Sequence, residues 1–595
     1  MKKVIYLVVA ASTMLFTACE SFLDTQDLTH KNTTNFPATV GDAQQMIAGV
    51  YSSLNEQFDN TKYGNIPSKT FYFYSEVASD DRLGGGGATD QAWQAEDMYL
   101  QYLNSDLFRQ IWTVRYEGVY RANYAIETLD RCTGYTSDAQ KNMLKGEAYF
   151  LRAYYYYELA SLFENIPVPV SSIPANKPQS KPAETWGQII SDLKTAISLM
   201  PATKTSASET GHADKYCAEA LLARAFLFYT GFYKSTDVTL PDGSKVTKAD
   251  VITWVNDCVL NSGYSLVTSD YRNLWGYTNS LTKEDYAYTK GQNLLFVEDS
   301  KAVGPEEMFM VKFSNFAKQN ILLGSEGYSD GYALYTSMRG NQDLQGTFPF
   351  GQGWGGAPVT PNLWADWKAA EPTDPRRVAT ICEIPTELGG TFVKEGKTNP
   401  KYTKGAWDFV QETDYYMKKT SAIGAKVGDV YYPGFEAVMY NNSAWLTNMQ
   451  ECTTRDLVLI RFADVLLMQS ELTGDAAGMN KVRARVGLPA IAYSLSALQN
   501  ERRWELCGEA VRWNDMRRWG DDYCTAALAK QVGVKTYYKG SDDTNVTANN
   551  GGGYVARYKA THGFVSIPGS EIALSNGVLK QNAGWETPPN YSGWK

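Results

Sequence analysis

Residues 141–169 read KNMLKGEAYFLRAYYYYELASLFENIPVP, and no other stretch restricts the fold as tightly. Leu144, Ala148, Leu151, Tyr155, Leu159 and Leu162 recur every three or four residues, which predicts one apolar face of a helix. Tyr149, Phe150, Tyr154, Tyr157 and Phe163 put aromatic surface on the remaining faces. A helix that is apolar nearly all round is buried among other helices rather than laid on a surface. Pro167 and Pro169 then stop it. The tyrosine run is assigned to scaffold, because aromatic stripes at helical spacing usually belong to a core.

Other stretches repeat this pattern on both sides. Residues 42–57 carry Ala43, Ile47, Val50 and Leu54 on one face, with Asp42 placed as N-cap. Phe108, Trp112, Tyr116, Val119, Ala122, Ile126 and Leu129 stripe a helix beginning near Ser105. Trp186, Ile190, Leu193, Ile197 and Met200 mark another, ended by Pro201, and Tyr216, Ala220, Ala223 and Leu227 the next. Small residues (Ala122, Ala148, Ala153, Ala220, Ala223) sit where helices must approach. The arrangement looks like degenerate tetratricopeptide packing, a stack of helical hairpins, although no strict repeat is visible.

The character changes after Lys234. VTLPDGSKVT (238–247) reads as a hairpin turning at Pro241-Asp242-Gly243. From about 262 to 450 the chain is rich in Gly, Tyr, Trp, Asn and Pro, with few helical stripes. Loops this long are functional or disordered, and so many aromatics argue against disorder. Helices are expected again over 456–472 and 494–519, with loops and short strands from 537 to the end. The fold class is therefore mostly α: a TPR-like helical-hairpin scaffold with a large irregular half containing short β-strands.

The start of the chain carries a different signal. Lys2 and Lys3 precede an apolar region of thirteen residues, Val4 to Phe16, a signal peptide too short to span a bilayer. Leu15-Phe16-Thr17-Ala18-Cys19 resembles a bacterial lipobox, which implies cleavage before Cys19 and lipid attachment to its thiol. Acyl chains there would tie the body to a membrane. The expected division is leader 1–18, lipidated tether 19–35, helical region 36–234 and an irregular region with closing helices, 235–595.

A net charge of −9 argues against nucleic acid, which needs a basic stripe. Three scattered His make a His-rich metal site improbable, and the eight Cys contain no C-x-x-C pair. Seven of them, from Cys132 to Cys524, read as small hydrophobes.

Three patches together are similar to the SusD/RagB family of nutrient-uptake lipoproteins. The first is the lipobox with Cys19-Glu20-Ser21-Phe22-Leu23-Asp24, and GEAYFLRAYYYYELASLFENIPVP downstream. The second is LIRFADVLLMQSEL (459–472) running into NKVRARVGLP (480–489). The third is ERRWELCGEAVRWNDMRRWG (501–520) with the tail FVSIPGSEIALSNGVLKQNAGW (564–585); PEEMFMVKF (305–313) is a weaker echo. Cys507-Gly508-Glu509-Ala510 departs from the family, which commonly has an aromatic followed by Glu-Gly there. The resemblance implies a non-enzymatic surface lipoprotein of the outer membrane. Such a protein captures an oligosaccharide or polysaccharide and passes it to a partner SusC-like TonB-dependent transporter. A peptide cargo is the alternative.

The best ligand candidate is SDDRLGGGGATDQAWQAEDMYLQ (79–101). Four consecutive glycines allow backbone conformations close to a ligand. Asp80, Asp81, Arg82 and Asp90 offer hydrogen bonds to hydroxyls, and Trp93 a stacking face. Tyr328 and Trp354, with Trp275 and Trp364, are candidates from the irregular half, where exposed aromatics would equally suit the transporter. The acid-rich glycine loop is also a conceivable Ca²⁺ holder, though no cofactor is expected. Arg461, Asp464 and Glu471 read as a structural ion network, and Glu505, Glu509, Arg512 and Asp515 as helix-bracing pairs. Gly351–Gly356 matches G-x-G-x-x-G, but Pro358 and Pro361 leave no helix to receive a phosphate. A surface glycosidase would need two carboxyls flanking a cleft, and no loop acid sits in such a motif.

Overall fold

The structure is a computed structural model that describes residues 36–55, 70–204, 211–300, 304–313, 329–339, 344–388, 409–441, 446, 452–538, 541–544 and 550–593. The leader, the tether, Cys19 and Tyr328 lie outside the described residues.

The helical region comprises α1 (Val40–Asn55), α2 (Phe71–Val77), α3 (Gln91–Asp97), α4 (Arg109–Thr128), α5 (Asp138–Phe163), α6 (Pro182–Leu199), α7 (Lys215–Phe232) and α8 (Lys248–Asn261). From α4 to α8 each helix packs on the next, and α1 lies on α4, as a stack of helical hairpins requires. The predicted central helix is α5. Ser137 caps it by accepting from the Gln140 N–H at 3.2 Å, and Glu164, at φ +57°, ends it before Pro167. Leu151, Tyr155, Leu159 and Leu162 are fully buried, as are Phe150, Tyr156 and Phe163 on the other faces. Tyr155 and Tyr156 bury their rings and still satisfy their hydroxyls. Tyr155 donates to the Val50 carbonyl and Tyr156 to that of Pro169, each at 2.5 Å. Gly118 of α4 faces the Tyr155 ring, and a Cβ there would stand 2.5 Å from it, so this pair of helices can close only over glycine.

Asp42 is not the N-cap of α1. Thr39 holds that place, accepting from the Asp42 N–H at 3.2 Å, while the Asp42 carboxylate reaches back to the Thr39 N–H at 3.1 Å. The two form a reciprocal capping box.

The predicted hairpin is β1 (Asp237–Thr239) paired with β2 (Lys245–Thr247). In the irregular half, β3 (Glu307–Val311) pairs antiparallel with β4 (Leu457–Arg461), the segment expected to open a helix. The helix begins only at Phe462 (α9, Phe462–Thr473), because a short apolar run such as LVLIR fits a buried strand as well as a helix. The helix expected over 494–519 is two, α10 (Leu495–Leu506) and α11 (Arg512–Arg518). Gly508 at φ +79° and Ala510 at φ +58° break it. The tail holds helices at Tyr554–Thr561 and Gly569–Leu574 where mainly loops were expected.

One apolar core joins the helical stack to Phe309, Leu459, Leu466 and Trp513, so packing is continuous across the 234/235 division. The irregular half also has cores of its own. Tyr271, Trp275, Tyr277, Phe350 and Phe435 form one, and Trp364, Trp367 and Trp504 another. The seven described cysteines are buried and none is joined in a disulfide among the described residues.

Charged side chains cross-link these cores. Glu505 meets Arg461 and Arg376, each at 3.0 Å, and also Arg485. Glu509 meets Arg461 and Lys419, both at 2.7 Å, and Asp464 meets Arg502 at 2.8 Å and Arg224 at 2.7 Å. Glu471 meets Arg518 at 2.7 Å, so all three members of the expected ion network, Arg461, Asp464 and Glu471, are paired. The expected helix bracing is mostly replaced by long-range pairing, since Arg512 holds Asp80, and Asp515 shares Arg502 with Asp464.

Candidate functional site

The glycine loop between α2 and α3 is zipped against a second glycine-rich segment, 351–359. Gly86 donates to the Gly355 carbonyl at 2.9 Å, Ala357 to Gly84 at 3.0 Å, and Leu83 to Pro358 at 3.1 Å. Val410 donates to Gly86 at 2.9 Å, closing the other side. A Cβ on Gly84 would lie 2.6 Å from the Trp93 carbonyl oxygen, and one on Gly85 2.5 Å from that of Gly355. The glycines thus serve backbone-to-backbone packing rather than direct approach of a ligand. Gly85, at φ +69°, combines both constraints. Gly85→Ala is expected to cost on the order of 2 kcal/mol, read as a lower urea midpoint at unchanged slope.

Burial sorts the predicted residues into two groups. Asp81 is buried and paired with Arg503 at 2.6 Å, beside Asp80, which Arg512 holds at 2.7 Å. Burial works to raise both carboxyls. The guanidiniums of Arg503 and Arg512 outweigh it at Asp80, holding it below the ordinary range, while burial and the neighbouring Asp80 push Asp81 up. Arg82 is fully buried, with Nε donating to the Ala357 carbonyl at 2.5 Å and Nη1 to Glu76 at 3.2 Å. Trp93 is 4% exposed, wedged between Phe73 and Tyr335 with ring centroids 5.8 and 5.6 Å away. None of these four presents a face to a ligand. They are the floor and frame of the loop, because an indole and charges enclosed by chain on every side have no surface left to offer. Trp275 and Trp364 are likewise buried, under Lys419 and against Tyr415 respectively.

Asp90 and Trp354 behave differently. Both are part-exposed, and Arg339 brings them together. Its Nη1 donates to Asp90 Oδ2 at 3.0 Å and to the Trp354 carbonyl at 3.3 Å. The same guanidinium lies over the Trp354 ring, 5.9 Å from its centroid, and over Phe409 at 5.4 Å. Asp90 also accepts from the Gly87 N–H at 2.7 Å, so the rim is locked to the glycine loop. Ala88, Gln91 and Gln352, close to Asp90 and Trp354 in sequence, are also part-exposed, and Gln91 Nε2 donates to the Ala88 carbonyl at 3.2 Å. The arrangement offers one aromatic platform, one fixed donor group and carboxylate and amide acceptors, the composition of a site for a neutral polar molecule. Arg339 and Phe409 had no local signal in the sequence; only tertiary contact selects them. The loop's acids are taken up by Arg503, Arg512 and Arg339 rather than grouped around a cation, and no group of three or more metal-ligating side chains occurs among the described residues.

Asp97 supports the loop from below. Its Oδ2 accepts from Gln411 Nε2 at 2.8 Å and from Tyr554 at 3.0 Å, while Gln411 Oε1 accepts from the Gly85 N–H at 2.9 Å. Burial pushes the Asp97 carboxyl up to about 7, against the lowering effect of these hydrogen bonds. A carboxyl raised on folding contributes stability that is complete below its unfolded value and is lost as pH rises through about 7. Asp97→Asn is expected to remove about 1.4 kcal/mol per pH unit from the stability slope between pH 4 and 7, measured by urea unfolding.

Residues 21–227 match a family model described as starch-binding associating with outer membrane, SusD-like, and residues 349–585 match the model of the SusD family. SusD-like protein P2 of Formosa agariphila is 23% identical over 520 residues, 81% of this chain and 84% of that protein. SusD-like protein P38 of the same organism is 22% identical over 84% of this chain and 88% of its own. Among solved structures, a laminarin binding SusD-like protein superposes with a TM-score of 0.65 at 22% identity, covering 92% of this chain and all of that one. Surface glycan-binding protein A from Bacteroides thetaiotaomicron, in complex with laminarihexaose, gives 0.66 at 18% identity with the same coverage. At these identities the structural likeness is one of fold. No helix among the described residues is long and apolar enough to cross a membrane.

Proposed function

Since this chain belongs to the SusD family, with two family models matching 21–227 and 349–585, we propose that it captures a neutral extracellular glycan without cleaving it. The glycan sits on the rim of the glycine loop. The observation that carries this reading is the Asp90–Arg339–Trp354 cluster, in which a part-exposed indole is fixed beside charged hydrogen-bonding groups. A sugar ring has apolar C–H faces and an equator of hydroxyls, and this rim supplies a partner for each. The fold likeness to a protein solved with laminarihexaose favours a β-glucan as the first ligand to try. The paired, buried state of Asp80 and Asp81 supports a binding role, because a glycosidase needs two carboxyls free to face the same bond.

The lipobox-like sequence at Cys19 and the family's outer-membrane association support anchoring by lipid at the outer membrane, facing the exterior. Delivery to a SusC-like TonB-dependent transporter completes the proposal. Retardation of the chain in native gels cast with laminarin or other neutral polysaccharides tests capture. Co-purification of the full-length lipoprotein with a barrel transporter from detergent-solubilised membranes tests the partner. Unretarded migration through every polysaccharide would remove the glycan reading, and isolation free of any barrel protein would remove the transporter.

A further inference from the structure

A second concave surface lies on the helical stack and shares no residue with the glycine-loop rim. It is an open groove of about 940 Å³ between α4, the 167–177 connection and the tail helix Gly569–Leu574. We infer that this groove is a second saccharide site, for neutral oligosaccharide. The inference rests on the glycan reading above for the class of ligand only.

The groove is built rather than incidental. Trp112, Tyr116 and Tyr120 follow one another along α4 at i, i+4 and i+8, so they share one face. They grade from floor to rim, Trp112 being 4% exposed, Tyr116 part-buried and Tyr120 53% exposed. Trp112 and Tyr116 rings lie 4.8 Å apart, and the Tyr116 hydroxyl is fixed on the Pro167 carbonyl at 2.7 Å. Both walls are tied. Asn123 donates to the Pro169 carbonyl at 2.9 Å, and Asn176 reaches across to the Ser575 carbonyl at 2.9 Å. An exposed tyrosine ring over a preformed floor gives a stacking face at little ordering cost.

The charges in the lining specify the ligand. Glu117 and Glu571 are balanced by Arg121 and Lys177, and Glu117 faces Arg121 at 3.9 Å. A wall with no excess charge has no preference for an anion, whereas paired acids and bases both bond hydroxyls. The volume falls within the usual range for small-ligand sites. Two separate sites on one body would hold a long polymer more tightly than either alone.

The test is calorimetric titration of Trp354→Ala protein, which lacks the rim platform, with neutral gluco- and manno-hexasaccharides and with an oligogalacturonate. The expected result is weak binding of a neutral hexasaccharide that falls at least tenfold on adding Tyr120→Ala and is kept with Tyr120→Phe. Tyr120 is exposed, so an unchanged thermal midpoint certifies the fold. Binding indifferent to Tyr120→Ala, preference for the oligogalacturonate, or no binding in the Trp354→Ala background would each overturn the groove. Failure of the rim reading shows separately, as wild-type binding that Trp354→Ala leaves unchanged.

Discussion

Replacing Glu505 with alanine is expected to destabilise the protein by about 3–5 kcal/mol. The side chain is fully buried, and its two oxygens serve Arg461, Arg376 and Arg485. Burial alone would raise this carboxyl; Arg485, Arg461 and Arg376 outweigh it and hold it far below the ordinary range. Its stabilising contribution is therefore present above the unfolded value and lost only as pH falls well below it. Removing it leaves three guanidiniums in low dielectric with fewer counter-charges, and the cost is that of the unpaired cations rather than the worth of one bond. The position also matters. Arg376 comes from the irregular half, Arg461 from the end of β4, and Glu505 from α10, so the carboxylate clamps three parts of the chain. A differential scan should show the midpoint lowered by about 3 °C if the body unfolds as one unit. Asp237, whose partner Lys245 is exposed, provides the contrast, with Asp237→Asn costing under about 1 kcal/mol. Equal effects at the two positions would show that the network carries no special share of stability.

Trp354→Ala is expected to weaken glycan binding by about thirtyfold or more, as removal of a central aromatic anchor does. Its ring is part-exposed and carries Arg339 on one side, while its backbone N–H donates to the Leu334 carbonyl at 2.9 Å and does not depend on the side chain. The variant should fold and lose affinity. Trp93→Ala behaves in the opposite sense. Its indole fills the space beneath Gly86 and Gly356, so truncation should cost about 3–5 kcal/mol of stability and reach binding only by loosening the loop. Comparing the two separates a contact from a support, which a binding measurement on Trp93 alone cannot do.

Much of the scaffold is legible in the sequence because α1 and α4 to α7 carry long apolar periodicities. The period specifies the element, and Pro167 or Pro201 marks its end. The failures are equally physical. Leu457–Arg461 is too short and too uniformly apolar for its period to be read, and it is a strand only because Glu307–Val311 is there to pair with it. The break between α10 and α11 hangs on Ala510 in a left-handed conformation that alanine rarely adopts and no local pattern announces. At the site, the glycine run correctly indicates the neighbourhood but not the reason for it, which is close packing on Gly355 and Gly356. Sequence cannot rank Trp93 against Trp354, since both are tryptophans in glycine-rich surroundings and only the fold decides which is covered. Arg339 lies far in sequence from Asp90, and the contact that makes the rim exists only in three dimensions.

Stacking of a sugar on Trp354 at this rim is what the proposed function rests on. Isothermal titration of residues 20–595 against laminarihexaose, a wider glycan panel and a mixed peptide digest, with Trp354→Ala alongside, tests it most directly. One glycan is expected to bind the wild type and to be weakened about thirtyfold or more by the substitution, with no heat from peptides. Peptide binding without a glycan signal, or glycan binding that survives Trp354→Ala undiminished, would contradict it.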